Sequence, residues 1–261
     1  MEFFYDKNNN NSQDDEEDKE DEINGKESIA PRLSVVHSDD RYAKGFMPSI
    51  TVFICDRNSS IIGQSLIDAF EMIKGFTIVA DNSSTPLNII SNHYFSTSSN
   101  ISLVILNSQL HDHILKAWLS VANCEENWAA TAIILSSVSR CELLVNSNNE
   151  RTLLRKLQTS KSRICNTFDC VTSIPDLEIG NVISGAPAAI LNFYEARSLR
   201  AISFLTIAEP YLSIASMKAF EDTWPMIESL TGRKVNKPSR EHYTAATRND
   251  AFISRTETLY C

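Results

Sequence analysis

Ile50-Thr51-Val52-Phe53-Ile54-Cys55 is the stretch on which the fold turns. Its apolar and β-branched residues are consecutive rather than alternating, the pattern of a short strand covered on both faces. Ser59 and Ser60 are placed to cap a helix, and Ile62, Leu66, Ile67, Phe70 and Ile73 recur at a spacing that puts them on one helical face. Gly75 is placed to end that helix. Phe76-Thr77-Ile78-Val79-Ala80 reads as the next strand.

The same rhythm continues outward. Residues 81–100 are rich in Ser, Asn and Thr and read as a polar connection. Residues 101–106 read as a buried strand. A helix over about 109–122 carries Leu110, Ile114, Leu115 and Trp118, and Thr131-Ala132-Ile133-Ile134-Leu135 reads as a strand. Residues 182–196 read as helix and residues 201–207 as strand. Residues 213–230 read as a helix with Ile214, Met217, Phe220, Trp224 and Ile227 on one face, halted by Gly232 and Pro238. Strand and helix in alternation predict an α/β sheet with crossover connections. The expected division is a disordered acidic tail over 1–46, an α/β domain over 47–235, and a flexible C-terminal tail over 236–261. The chain's 261 residues supply one sizeable core.

Charge is concentrated at one end. The first thirty residues hold eleven Asp and Glu against three Lys, a balance of −8 within a chain total of −9. The rest of the chain is close to neutral, without the basic field that nucleic-acid binding requires, so no nucleic-acid partner is expected. The run from Asp14 to Glu22 buries too little apolar surface to offset its ordering entropy. No apolar stretch reaches bilayer-crossing length, so no membrane association is expected. No signal-like leader is read at the N-terminus. The six cysteines form no CxxC pair and fit reduced thiols, which places the chain in the cytosol, with access to the nucleus.

Catalytic and metal motifs are weak. His111-Asp112-His113 places its histidines at i and i+2, which share no helical face, so they cannot close on one ion. Cys165 and Cys170 lack a second pair at zinc spacing. Neither phosphate-loop glycine pattern is present, nor is the nucleophile elbow. Asp68 and Glu71, and likewise Glu221 and Asp222, read as solvated helix charges. No metal and no cofactor are expected. The run from Gly180 to Leu191 sets small residues, Gly185, Ala186 and Ala189 among them, at a helix start. Close internal packing explains such a run; a subunit interface or an anion site at the helix N-terminus is the alternative.

Leu259-Tyr260-Cys261 closes the chain with an apolar residue, a tyrosine and a carboxylate. Together they form a compact plug for a pocket on another protein. With this ending, with Val182-Ile183-Ser184-Gly185-Ala186-Pro187-Ala188-Ala189-Ile190-Leu191, and with the closing order of strand, Trp224 helix, Pro238-Ser239-Arg240 and polar tail, the chain resembles the proteasome assembly chaperone 1 family. The resemblance covers mainly residues 180–261. It implies a three-layer α/β/α sandwich resembling nucleoside-phosphorylase-like domains, without catalysis. It implies a second, homologous chaperone subunit as heterodimer partner, and the α subunits of the proteasome core particle as the docking target. Leu259, Tyr260 and Cys261 would then enter a pocket between α subunits, promoting α-ring assembly and blocking premature activator binding. A lipidated Cys261 is disfavoured by the absence of the usual spacing and of a polybasic flank. The alternative class is a small-molecule enzyme on a nucleoside-phosphorylase-like or hydrolase-like α/β fold, which requires a concave pocket with convergent polar groups. A third is an adaptor whose acidic tail binds a basic partner.

Overall fold

The computed structural model describes residues 32–38, 46–56, 60–81, 88–106, 110, 112–126, 128–139, 143, 154–164, 171, 173–208, 223–225, 227–229, 232 and 234. Strands β1 (Arg32–His37), β2 (Ile50–Ile54), β3 (Ile73–Asp81), β4 (Asn88–Ser96), β5 (Ile101–Leu106), β6 (Thr131–Ser139), β7 (Leu154–Gln158) and β8 (Arg200–Ala208) form one sheet, in the order β1-β3-β4-β5-β2-β6-β8-β7. Helices α1 (Ser60–Ala69), α2 (Asp112–Glu126), α3 (Ser160–Ile164) and α4 (Gly185–Ala196) connect them. The centre, β5-β2-β6-β8, is parallel. An antiparallel wing of β4, β3 and β1 extends one side, and antiparallel β7 closes the other.

Strand β2 shows why the centre holds. Val52 and Ile54 enter one core with Ile62 and Leu66 of α1 and with Trp224 and Ile227. Phe53 and Cys55 enter the other with Leu115 and Trp118 of α2 and Ala186, Ile190 and Tyr194 of α4. Side chains alternate across a strand, so these two cores lie on opposite faces of the sheet and helices cover both. Trp128 meets Phe53 edge-on at 5.0 Å between ring centroids. The Tyr194 hydroxyl donates to the Ala129 carbonyl at 3.0 Å, tying α4 to the segment before β6.

Four expectations change. Helix α1 ends before Gly75: Phe70 N–H still bonds the Leu66 carbonyl, and Glu71 takes the left-handed turn at φ 49°. Gly75 instead lies in β3, where the β3–β4 register shifts between Lys74 and Phe76, so it marks a bulge, and Ile73 is an exposed strand residue. The 81–100 connection contains nine-residue β4, whose polar residues find partners: Thr77 Oγ1 donates to Asn92 Oδ1 at 3.1 Å and Ser96 Oγ to the Phe70 carbonyl at 2.7 Å. Residues 32–37, placed within the 1–46 tail, form β1, because Leu33 and Val35 pack on the α2 side of the sheet. Strand β7 matches no element expected from the sequence. It carries Arg155 and Lys156, and both are buried. The Trp224 segment is helical at residues 223–225 and 227–229; residues 213–222 lie outside the described residues.

The β7 edge is closed by the chain itself. Lys156 N–H donates to the Pro175 carbonyl and Leu177 N–H to the Lys156 carbonyl. Lys156 Nζ donates to the Val171 carbonyl at 3.1 Å. Arg155 Nε meets Glu178 Oε1 at 2.7 Å, and Arg155 Nη1 donates to the Leu154 carbonyl at 3.0 Å. Burial by itself raises the Glu178 carboxyl; the Arg155 hydrogen bond and charge outweigh it and hold the group below the usual carboxylate range.

Unfolding measurements at two positions check this packing. A Cβ on Gly63 would stand 2.9 Å from Ile105 Cδ1 and 3.4 Å from Ile54 Cγ1, so α1 lies on the sheet only because this position is glycine. Gly63→Val is expected to cost about 1–3 kcal/mol in urea unfolding. Gly63→Ala should cost less, since the near atom is a terminal methyl and Ala gains about 1 kcal/mol of helix propensity. For Glu178, a depressed carboxyl contributes stability above its unfolded pKa and loses it as pH falls through the folded one. Glu178→Gln should therefore destabilise by about 1–3 kcal/mol at neutral pH. The penalty should shrink below about pH 4, where the unfolded-state carboxyl also gains its proton. A penalty as large at acid as at neutral pH would remove the ion pair from the account.

Candidate functional site

The enzyme alternative has a definite address. In an open sheet with parallel strands, ligands bind beyond the carboxyl ends where connections diverge to opposite sides. Here that point is the end of β2, which lies between β5 and β6. Cys55 stands there, its amide donating to the Leu135 carbonyl at 2.9 Å, its side chain buried. Burial, with the Asp56 charge adding to it, pushes the Cys55 thiol well above the usual thiol range. A thiol held protonated is a poor nucleophile and a poor metal ligand. Ser136 and Ser203 are buried on the same face, and among the described residues their hydroxyls have no hydrogen-bond partner. Small side chains along β6 and β8 (Ala132, Ser136, Ala201, Ser203) face small side chains on α4 (Ala186, Ala189), which lets helix and sheet approach.

One pair has the elements of a nucleophile and base. Ser91 Oγ lies 2.8 Å from His93 Nε2 in β4, and Trp118 Nε1 donates to the same hydroxyl at 2.9 Å. The His93 ring stacks on Phe76 at 4.1 Å between centroids. Ser91, His93 and Trp118 are each 0 % exposed, so no substrate reaches the hydroxyl. The network joins α2 to the antiparallel wing. Sequence reading misses it because these residues fall in the stretch read as loop; the available signal is Ser91 and His93 at i and i+2, one strand face. Strand β5 separates β4 from β2, so Cys55 and His93 do not converge.

The small-residue run divides in the structure. Ala186 is buried in the core, and Ala189 is half-buried against it. Gly185 is exposed with open space around it; its φ of 67°, not close packing, is what asks for glycine. Ser184 precedes α4 without a side-chain cap bond. Among the described residues, no three His, Cys, Asp or Glu side chains gather as a metal site. Nor is any described helix long and apolar enough to cross a membrane. Cys55 and Cys124 are free thiols. Leu259, Tyr260 and Cys261 lie outside the described residues, as do His111, Cys165 and Cys170.

No protein-family model matches the chain, and no curated protein matches it. Solved structures do. A protein of unknown function from Thermoplasma acidophilum matches with a TM-score of 0.61 at 14 % identity, over 83 % of this chain and 89 % of that one. Pyrococcus furiosus PbaB, an archaeal proteasome activator, matches with a TM-score of 0.58 at 11 % identity, over 88 % of this chain and 100 % of that one. Pyrococcus furiosus PbaA, an archaeal homolog of proteasome-assembly chaperone, matches with a TM-score of 0.57 at 12 % identity, over 88 % and 93 %. The mixed α/β fold of this chain, with its eight-stranded sheet, is thus similar to the fold of an archaeal proteasome activator and of an archaeal proteasome-assembly chaperone homolog.

Proposed function

We propose that this protein is a proteasome assembly chaperone, one subunit of a heterodimer that binds the α ring of the core particle. The observation that carries the reading is the fold shared with PbaA and PbaB over 88 % of the chain, both described in terms of the proteasome. The Leu259-Tyr260-Cys261 ending, reached independently from the sequence, is the docking element. In this reading the domain is a three-layer α/β/α body of the nucleoside-phosphorylase-like kind that presents a tail and catalyses nothing.

The tail inserts between neighbouring α subunits. The terminal carboxylate of Cys261 pairs with a pocket lysine, the Tyr260 ring packs on the wall with its hydroxyl bonded, and Leu259 buries its side chain. Burial of Leu259 contributes about 1.5–3 kcal/mol. Ordering each tail residue costs about 1–2 kcal/mol, so one tail binds weakly by itself. A folded-body contact and the partner subunit's own tail supply avidity. While bound, the chaperone occupies the face an activator needs.

Pull-down of the full-length protein beside a variant lacking Leu259-Tyr260-Cys261, read by mass spectrometry, tests this. The full-length chain should bring down α subunits and a second chaperone subunit. The truncation should lose α subunits by about tenfold, equivalent to about 1.4 kcal/mol, while keeping the partner subunit and an unchanged melting temperature. Equal recovery of α subunits by both would remove the tail mechanism. Absence of α subunits from both would overturn the chaperone reading and return attention to the carboxyl end of β2.

A further inference from the structure

Helix α4 begins with unbonded donors. The first amides of a helix have no partner within it. Pro187 has no N–H, which leaves those of Gly185 and Ala186 at the start of α4. Ser184 makes no side-chain cap bond, and among the described residues no other group accepts from these two amides. Gly185 is exposed, with nothing within 4 Å of the place a Cβ would take, so the helix start is open to solvent.

A second feature stands at the same place. Ser136 and Ser203 are 3 % and 0 % exposed, and among the described residues their hydroxyls have no hydrogen-bond partner. Both point to the α4 face of the sheet, because they alternate in step with Ala132, Ile134 and Ala201, which share a core with Ala186. They are close neighbours on that face: Ser203 pairs with Ile134, and Ser136 with Leu205. Helix α4 packs on β6 and β8 and descends from the carboxyl end of the strands, since its Tyr194 hydroxyl bonds the Ala129 carbonyl just before β6. Ala186 lies two turns before Tyr194, about 12 Å along the helix, a rise that spans about four residues of strand. That brings the first turn of α4 level with Ile134 to Ser136. The helix N-terminus and the two buried hydroxyls therefore converge.

The donors select the ligand. Two amides and two hydroxyls offer hydrogens from several directions, and the helix N-terminus is electropositive. Their common complement is a tetrahedral oxyanion. Nearby charges largely balance. Arg155 faces this side, since Leu154 before it enters the other core, and it pairs in register with Leu205, the neighbour of Ser136. Glu178 neutralises it. Cys55 extends β2 level with Ser136, and burial keeps its thiol protonated. Asp56, next to it, opposes an anion and limits affinity.

We infer that the first turn of α4, together with Ser136 and Ser203, binds a phosphate group, free or carried on a larger molecule. The inference goes beyond the chaperone reading and concerns the chain without proteasome subunits, so its failure leaves that reading standing.

Inorganic phosphate and AMP, each titrated into the full-length protein at constant ionic strength, test it by calorimetry and thermal melting. Phosphate should bind with a Kd of about 1 mM, and about 10 mM should raise the melting temperature by about 3–6 °C. AMP binding about tenfold tighter would support a phosphate carried on a larger ligand, and equal binding a free phosphate. Ser136→Ala and Ser203→Ala should each weaken phosphate binding about tenfold. Without phosphate, both variants should melt no lower than the native chain, because each removes a buried hydroxyl that nothing bonds. Ser184→Asp supplies a carboxylate cap to the same amides, so it should abolish phosphate binding while keeping or raising the melting temperature. Absence of phosphate binding, serine variants that bind phosphate like the native chain, or ligand-free serine variants that melt several degrees lower would each overturn the inference.

Discussion

Strand β2 must be covered on both faces, and the rest of the molecule answers that constraint. Val52 and Ile54 point one way, Phe53 and Cys55 the other. Its neighbours β5 and β6 run parallel to it, which requires crossover connections, and those crossovers place α1 on one face and α2 on the other. Gly63 sets how closely the first helix approaches. On the second face Trp128, Phe53 and Tyr194 form a ring cluster that ties α4 to the sheet. Polar groups inside this body serve its packing: the Ser91, His93 and Trp118 network joins helix to wing, and the Arg155–Glu178 pair closes an edge.

Such a body is suited to presenting surfaces. Its buried nucleophile candidates are sealed, Cys55 by burial and a neighbouring carboxylate and Ser91 by complete enclosure. On the proposed chaperone reading, recognition is spread over several weak contacts, so that the protein can leave once assembly is complete. In that reading the proposed Leu259-Tyr260-Cys261 tail supplies one contact of that kind, individually modest.

The sequence alone determined the buried strands, because runs such as 50–55 and 101–106 are apolar whatever surrounds them, and it determined the helices whose apolar face repeats at 3.6 residues. It also determined the charge asymmetry, a chemical fact that needs no contacts. Tertiary structure alone decided β1, β4 and β7. Strand β4 reads as loop because its serines, asparagine and histidine find partners only once Thr77, Phe70 and Trp118 are brought beside it. Strand β7 is not legible in the sequence because its Arg155 and Lys156 can be buried only where Glu178 and Val171, groups distant in sequence, satisfy them. Glu71 rather than Gly75 turns the chain out of α1, and Gly75 sits at a strand bulge instead, because a bulge depends on the pairing register, which local propensity does not encode. Of the candidate site, sequence could name Gly185, Ala186 and Ala189 but not sort packing from backbone geometry. That distinction is made only where α4 meets β6 and β8, because burial belongs to pairs of surfaces and not to a single run of residues.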